Sequence, residues 1–485
     1  MNKRKKASLE LDMSSPSPKP RANRRLSINN DESKEMASIL RKVQVSPAEK
    51  IKVAVTDIDG VLRGKYMLKS KFLSAVESGF GFCNVVFGWD SADVCYDNSS
   101  YTGWQSGYPD ATAKIDLSTY REIPWENNQP FFLADFEDQN GGDLPICPRR
   151  LLKRMVKKAE KAGFHPNFGL EFEWFNFRET PDSWSKKQFI DPQPLTPGMF
   201  GYSLLRSSCN QDFFSALMDE TMNFRIPIEG LHTETGPGVY EVAIHYSDAL
   251  EAADRATLFK TSAKQIGYRF GIMPSFIAKW NSKLPGCSGH NHQSLWDLKK
   301  TKNLFYDEKN SAKMSSLFKS YLAGQMKLLP EILPFFAPNI NSYKRLVDGY
   351  WAPTKVTWGV ENRTTAFRVI PGSSKSTRLE TRVPGSDINP YLAVAACLAS
   401  GLYGVEKNLS LKDKPINGSA YLAEGAERLP RNLYEATKRL ADSKIANEIL
   451  GEPFVKHFVE TRLWEWSQFQ DSVTNWELQR YFEII

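Results

Sequence analysis

The residues whose types and spacing point most directly to chemistry lie in Gly169-Leu-Glu-Phe-Glu-Trp-Phe-Asn-Phe177, where Glu171 and Glu173 alternate with Phe172 and Trp174. A β-strand turns successive side chains to opposite faces, so both carboxylates share one side and the aromatic rings the other. Two like charges side by side are costly unless something neutralises them. Alone, such a strand reads equally well as a half-exposed strand with a wetted acidic face. The pattern recurs three times downstream. In His232-Thr-Glu-Thr-Gly-Pro-Gly-Val-Tyr-Glu241 a Gly-Pro-Gly turn separates Glu234 from Glu241 and brings both to one rim. Gly286 opens a small-residue loop into His290 and His292, and Arg378, Glu380 and Arg382 share one face of a last strand. Together they read as the polar lining of one cavity. Five carboxylates and an imidazole favour Mg²⁺ or Mn²⁺ over zinc, and the interleaved Arg and Lys suit anionic substrates, phosphate above all.

These segments, in this order, resemble the catalytic strands of glutamine synthetase. The likeness continues through Asn341-Ser-Tyr-Lys-Arg-Leu-Val347, Glu361-Asn-Arg363, Asn389-Pro-Tyr391 and Trp476-Glu477, and it covers nearly all of the chain after about residue 47. It implies an α+β fold: a small N-terminal β-grasp domain over residues 47–145 and a catalytic domain over 146–485 with a curved antiparallel sheet flanked by helices. By similarity, Glu173, Glu234 and Glu241 hold one metal, and Glu171, His290 and Glu380 a second that bridges ATP phosphates. Arg363, Arg368 and Arg378 match phosphate-contacting arginines, with Arg363 in the catalytic role. Arg345 and Arg382, with Gly286, match the grip on glutamate. His292, Ser294 and Lys375 match positions around the nucleotide, and Asp90 falls in the loop that helps bind the attacking amine. The implied reaction activates glutamate with ATP to a γ-glutamyl phosphate, which ammonia or an amine then converts to an amide. The implied assembly is a homo-oligomeric ring of ten or twelve subunits. A different class of reading is a catalytically silent relative of the lengsin kind; such a protein is free to lose ligands, whereas all six stand here.

Two departures from the family pattern stand out. Lys279-Trp280 and Cys287-Ser288 replace the usual residues of the nucleotide-loop signature. In Asp348-Gly-Tyr-Trp-Ala-Pro353, Trp351 stands where the family carries a flap glutamate that takes a proton from ammonium. An indole has a donor and no acceptor, so the identity of the nitrogen donor turns on this residue.

The bulk properties are compatible with this. A chain of 485 residues, 41% hydrophobic and 25% charged, suggests a soluble protein of two or three domains. No apolar run approaches a membrane span, and the basic N-terminus lacks the apolar core of a secretory signal, so a cytoplasmic protein is expected. Six scattered cysteines without a CxxC fit reduced thiols. Much of the +7 formal charge sits in the first 25 residues, which leaves little for a nucleic-acid surface.

Residues 1–46 read as a disordered basic tail, and Arg24-Arg-Leu-Ser27 within it resembles a site for a basic-directed kinase. Val53-Ala-Val-Thr-Asp-Ile-Asp-Gly60 imitates an aspartyl-phosphate nucleophile at Asp57, but its continuation as Arg63-Gly-Lys65 resembles the start of the family's small domain. Helices are expected over 148–162, with a solvated basic face, and over 210–224, 247–268, 309–328 and 389–407. Residues 430–485 read as helical packing surface.

Overall fold

The computed structural model describes residues 30–138 and 140–485. Residues 46–485 form one compact unit, with residues up to 45 as another. A helix spans Asn30–Val45, inside the stretch expected to be disordered. Met36, Ile39, Leu40 and Val43 recur there at helical spacing, a local signal that the basic composition around it hides. The kinase-like site at Ser27 lies outside the described residues.

The unit begins with a five-stranded sheet: β1 (Lys50–Thr56), β2 (Leu62–Leu68), β3 (Phe80–Cys83), β4 (Asp110–Ile123) and β5 (Gln129–Glu137), in the order β2-β1-β5-β4-β3. β1 and β5 run parallel, the other pairs antiparallel. Asp57 is structural: its carboxylate accepts from the Asp59 and Val61 amides and from Arg63 Nε, closing the turn between β1 and β2.

A second, curled sheet carries the acidic strands. It comprises β6 (Phe164–Phe177), β7 (Ile228–Thr233), β8 (Val239–Ile244), β9 (Ser247–Asp248), β10 (Met273–Ser275), β11 (Gly289–Asp297), β12 (Trp358–Val360), β13 (Phe367–Ile370) and β14 (Arg378–Thr381). Its order is β12-β13-β14-β11-β6-β8-β7, with β9 and β10 also pairing β6, and only β12 and β13 run parallel. Leu170, Phe172 and Trp174 of β6 are fully buried in the main core, among helices Pro148–Lys161, Ala249–Arg269, Ser316–Ile332 and Pro390–Glu406. The last two helices meet closely at Gly324 and Gly404, where a Cβ on Gly324 would sit 2.3 Å from the Ser400 carbonyl. Behind β11 and β14 a buried polar layer fixes the two strands. Gln293 donates to Thr381 at 2.8 Å, Thr381 to Gln325 at 2.9 Å, and Gln325 back to Gln293 at 2.7 Å.

Two expectations are corrected. The helix expected over 309–328 starts only at Ser316, because Asn310 folds a turn by accepting from Ala312 and Met314, and Ser315 then caps the helix. The basic helix Pro148–Lys161 is not solvated throughout: Arg149 is completely buried and binds three aspartates. Its guanidinium donates to Asp254 at 2.9 and 2.8 Å and to Asp116 and Asp135 at 2.8 Å, so the small sheet, this helix and Ala249–Arg269 are tied together. A buried guanidinium demands such partners.

The helix Glu452–Asp471 brings His457 into the core against the rings of Phe87 and Tyr101, and neither ring nitrogen finds a hydrogen bond. Burial, and then the charge of Arg462, push its pKa from 6.5 down to about 3. A folded-state pKa below the unfolded value means the native protein binds fewer protons between the two. The native stability is therefore complete above pH 6.5 and falls as pH drops toward 3, by on the order of 5 kcal/mol for an ideal two-state case. His457→Phe should remove this term. Thermal unfolding of variant and wild type should show the variant gaining relative stability as pH is lowered from 7.5 to 4.5; parallel curves would show that His457 does not carry the acid sensitivity.

Candidate active site

Strand register assembles the site. Across β6 and β11, Glu171 faces His290; across β6 and β8, Glu173 faces Glu241; and across β8 and β7, Glu241 faces His232. On the other flank His292 faces Glu380 across β11 and β14, and Glu380 faces Arg368 across β14 and β13. These residues occupy the sheet face opposite the buried Phe172 and Trp174.

Two groups of ligand atoms form there, each with all atoms within 4.8 Å of one another. The first is Glu171, His290 and Glu380, as the resemblance implies. His290 Nδ1 lies 3.3 Å from Glu380 Oε1 and 3.7 Å from Glu171 Oε2, and the buried Nε2 has no hydrogen bond. The second is Glu234 and Glu241 with His232, whose Nδ1 and Nε2 lie 3.7 and 3.6 Å from the two carboxylates. Glu173, expected in this second group, stands opposite Glu241, but one of its oxygens accepts the Ser288 amide at 2.8 Å. Sequence reading overlooked His232, although it opens the Glu234 segment. The ring of Tyr202, also overlooked, stacks on it at 4.4 Å.

The electrostatics fit cations at both places. Burial, then Glu173, Glu171 and Glu234, raise the pKa of Glu241 to about 9. Such crowding is relieved by a bound cation. Glu380 is also buried, which works against ionisation, but Arg382, His292 and His290 outweigh this and hold its pKa at about 2. Burial, then Arg382, lower the pKa of His290, which keeps its imidazole neutral and able to ligate. Carboxylates with one histidine per group form a hard, oxygen-rich donor set suited to Mg²⁺ or Mn²⁺.

The arginines divide by partner. Arg368 Nη1 donates to Glu380 Oε2 at 3.1 Å and the rest of its guanidinium binds Glu361. Arg382 binds Glu380 and donates to the Arg363 carbonyl at 3.0 Å. Arg345, fully buried, donates to the Val383 and Arg382 carbonyls at 2.8 and 3.2 Å. It packs on Gly286, where a Cβ would come within 2.8 Å of its side chain. Arg378 Nε donates to His292 Nδ1 at 3.1 Å, leaving His292 Nε2 to face Glu171 Oε2 at 3.1 Å. The Arg363 side chain is exposed and has no partner among the described residues.

Beside the first ligand group, and lined in part by its Glu171, opens a cavity of about 240 Å³ that gathers His292, Ser294, Lys375 and Arg378, four of the residues the resemblance sets around the nucleotide and its phosphates; Arg368 is not in its lining. Asn167, Glu229, Tyr246 and Trp296 line it too; no short motif marks them, since they come from strand ends and a turn. Near Arg345 and Arg382, the half-buried Tyr421 sets its hydroxyl against the Trp351 backbone; burial raises its pKa while Arg382 and Arg345 act against the rise. Trp351 is 58% exposed on its flap, with φ at +62°. Asp90 is not brought to the ligand groups within this chain. Its carboxylate accepts from the Ala92 and Val94 amides and from Trp464 Nε1 at 3.1 Å, so it shapes its own loop and docks it on the helix Glu452–Asp471.

Residues 145–481 match the family model "Glutamine synthetase, catalytic domain". The chain belongs to the glutamine synthetase family. It is 57% identical over 450 residues to type-1 glutamine synthetase 2 of Dictyostelium discoideum, covering 92% of this chain and 86% of that protein. It is also 37% identical to the glutamate–isopropylamine ligase of a Pseudomonas species, covering 94% and 100% of the two chains. The gamma-glutamylethanolamide synthetase of Streptomyces coelicolor is 34% identical over 91% of this chain and 94% of its own. Among solved structures, a GmaS/ADP complex superposes with a TM-score of 0.80 at 26% identity, covering 92% and 99%. Membership extends over nearly the whole chain of this glutamine synthetase relative, the small sheet included.

Relief of carboxylate crowding should be measurable without turnover. With its pKa raised to about 9, Glu241 must take up a proton when the metal-free protein folds at neutral pH; Glu241→Gln removes that cost, so the variant should melt higher than wild type in metal-free buffer and lose most of the further rise that Mn²⁺ gives wild type. Equal Mn²⁺-induced shifts in the two proteins, followed by differential scanning fluorimetry, would contradict a cation held by Glu241.

Proposed function

We propose that this protein is an ATP-dependent ligase that activates glutamate as γ-glutamyl phosphate and passes the glutamyl group to an amine in preference to ammonium. The observation that carries the reading is the pair of ligand groups on one sheet face, bordered on one side by the cavity at His292, Ser294, Lys375 and Arg378 and on the other by Arg345, Arg382 and the Trp351 flap.

His232, Glu234 and Glu241, with Glu173 beside them, would hold one divalent cation, and Glu171, His290 and Glu380 the other. Bound there, such ions supply charge neutralisation and polarisation for in-line phosphoryl transfer. The rest falls to the chain itself. Lys375, Ser294 and Tyr246, which line the cavity with Arg378, would flank the nucleoside, and Arg378, Arg368 and Arg363 would take phosphate charge. Arg345 and Arg382, anchored through carbonyls and Glu380, would orient the glutamate carboxylates so that a γ-carboxylate oxygen attacks the γ-phosphorus of ATP while its bond to the β-phosphate oxygen breaks and ADP leaves. Formation of the acyl phosphate turns a poor acyl donor into a good one. The amine nitrogen then attacks the carbonyl carbon of the γ-carboxyl group, the C–O bond to phosphate breaks, and the nitrogen gives up a proton.

That proton decides the donor. Ammonium must be deprotonated near the acyl phosphate, and an indole does not accept a proton. Trp351 presents instead a half-exposed ring that covers alkyl carbon or faces a second cationic group. The relatives named for isopropylamine and ethanolamide are consistent with such a donor. Asp90 sits apart from the ligand groups in its own chain, so a role near the amine requires the neighbouring subunit of a ring of ten or twelve. No helix among the described residues is long and apolar enough to cross a membrane, in keeping with a cytoplasmic ligase.

Phosphate release from ATP and glutamate across a panel of ammonium, isopropylamine, ethanolamine and putrescine tests the reading. Wild type should give its highest kcat/KM with one of the organic amines. Trp351→Glu should shift the ammonium-to-amine ratio toward ammonium by about 10²-fold, the low end of what a positioned base contributes. A wild type that favours ammonium, with no gain on substitution, would make it a glutamine synthetase in the strict sense.

A further inference from the structure

Lys279 lies under the flap and is used by none of the steps above. It is 5% exposed and rigidly held: its amide donates to Asn341 Oδ1 at 2.8 Å, and its carbonyl accepts from Asn341 Nδ2 at 2.7 Å. The preceding carbonyl, of Ala278, accepts the Cys287 amide at 2.8 Å, which joins this segment to the loop entering His290. Its ammonium pairs with no carboxylate among the described residues. Instead Nζ sits 4.2 Å from the centroid of the Tyr350 ring. A buried ammonium without a counter-ion is costly, and an aromatic face is one of the few groups that offsets the cost without supplying a charge.

Tyr350 is the residue before Trp351. The flap backbone around it is unusual: Gly349 has φ of +83° and Trp351 has φ of +62°, a region L-residues with side chains seldom adopt. A bulky residue stays there only when its surroundings hold it. On the solvent side the hold comes from Asp348, which binds Thr354 and pairs with Arg428 at 3.2 Å. On the site side the contacts are Lys279 with Tyr350 and the Tyr421 hydroxyl beside the Trp351 backbone.

We propose that Lys279 is a positioning residue: through its cation–π contact with Tyr350 it keeps the Trp351 flap closed over the acyl phosphate, so that the amine and not water receives the glutamyl group. The inference rests on the ligase reading. In the productive path nitrogen forms the bond to the carbonyl carbon of the γ-carboxyl group and phosphate leaves with the electron pair of the broken C–O bond. In the leak, a water oxygen attacks the same carbon, glutamate is regenerated, and the net reaction is ATP hydrolysis. Lys279 neither gives nor takes a proton in either path; it sets their ratio.

The experiment measures phosphate and amide together in the full-length protein supplied with ATP, Mg²⁺, glutamate and the amine of the panel that wild type uses best. Wild type should release close to one phosphate per amide. Lys279→Met and Tyr350→Leu should each raise that ratio about tenfold, as loss of a desolvated cation–π contact would. Lys279→Arg and Tyr350→Phe keep a cation and a ring and should bring the ratio back toward one. Variants that lose phosphate and amide in equal proportion, with the ratio unmoved, overturn the latch and leave Lys279 a purely structural residue. If Lys279→Met does not fold, Tyr350→Leu on the half-buried flap decides by the same ratio. A wild type that releases no glutamate-dependent phosphate with any amine overturns the ligase reading itself, and is distinguishable from a coupled wild type with coupled variants.

Discussion

The register of β6 against β8 and β11 is the constraint on which the rest depends. Because side chains alternate along a strand, a slip of one residue would carry Glu171 and Glu173 into the core and Phe172 and Trp174 out to the cavity. Burying each large apolar side chain contributes roughly 1.5–3 kcal/mol, whereas an unpaired carboxylate in the same place costs several times that. The core face therefore fixes the register, and the register fixes which acids meet. The like charges on the open face persist because Arg368 and Arg382 neutralise Glu380, His292 faces Glu171, and the crowding at Glu241 is of the kind a divalent cation relieves.

Buried charge serves two ends in this molecule. Around Arg149, three aspartates and the hydroxyl of Tyr391, which donates to Asp254 at 2.7 Å, leave the guanidinium fully satisfied, and the network fastens the small sheet to the helices behind the large one. Around Glu241, charges of one sign are gathered and left short of partners. The first arrangement is structural because it closes on itself. The second remains open to a ligand, and the polar layer of Gln293, Thr381 and Gln325 ties β11 and β14 of the same sheet together.

Much of the site was legible in the sequence because its signal is local. A period of two in β6, β11 and β14 places Glu171, Glu173, His290, His292, Glu380 and Arg382 on one face without any long-range information. What the sequence concealed depends on contacts between distant segments. His232 joins Glu234 and Glu241 only through the β7–β8 hairpin, and Glu173 turns to the Ser288 amide, 115 residues away. Tyr246 becomes part of the cavity beside His292 and Ser294 only once the turn after β8 is folded. The burial of Arg149 was hidden by the lysines around it, of which Lys157 and Lys161 face solvent while Lys153 joins two of the same aspartates, and the contact of Lys279 with Tyr350 joins two loops with no shared pattern.

The most direct measurement of how this sheet face works follows oxygen rather than amide. With glutamate labelled by ¹⁸O in its γ-carboxylate, activation through an acyl phosphate transfers one labelled oxygen to phosphate for each amide formed, and mass spectrometry of the released phosphate reads it. One ¹⁸O per phosphate is the expected result with ATP and the preferred amine. Phosphate free of label alongside amide product would contradict the assignment of the two ligand groups and their arginines to phosphoryl transfer onto glutamate.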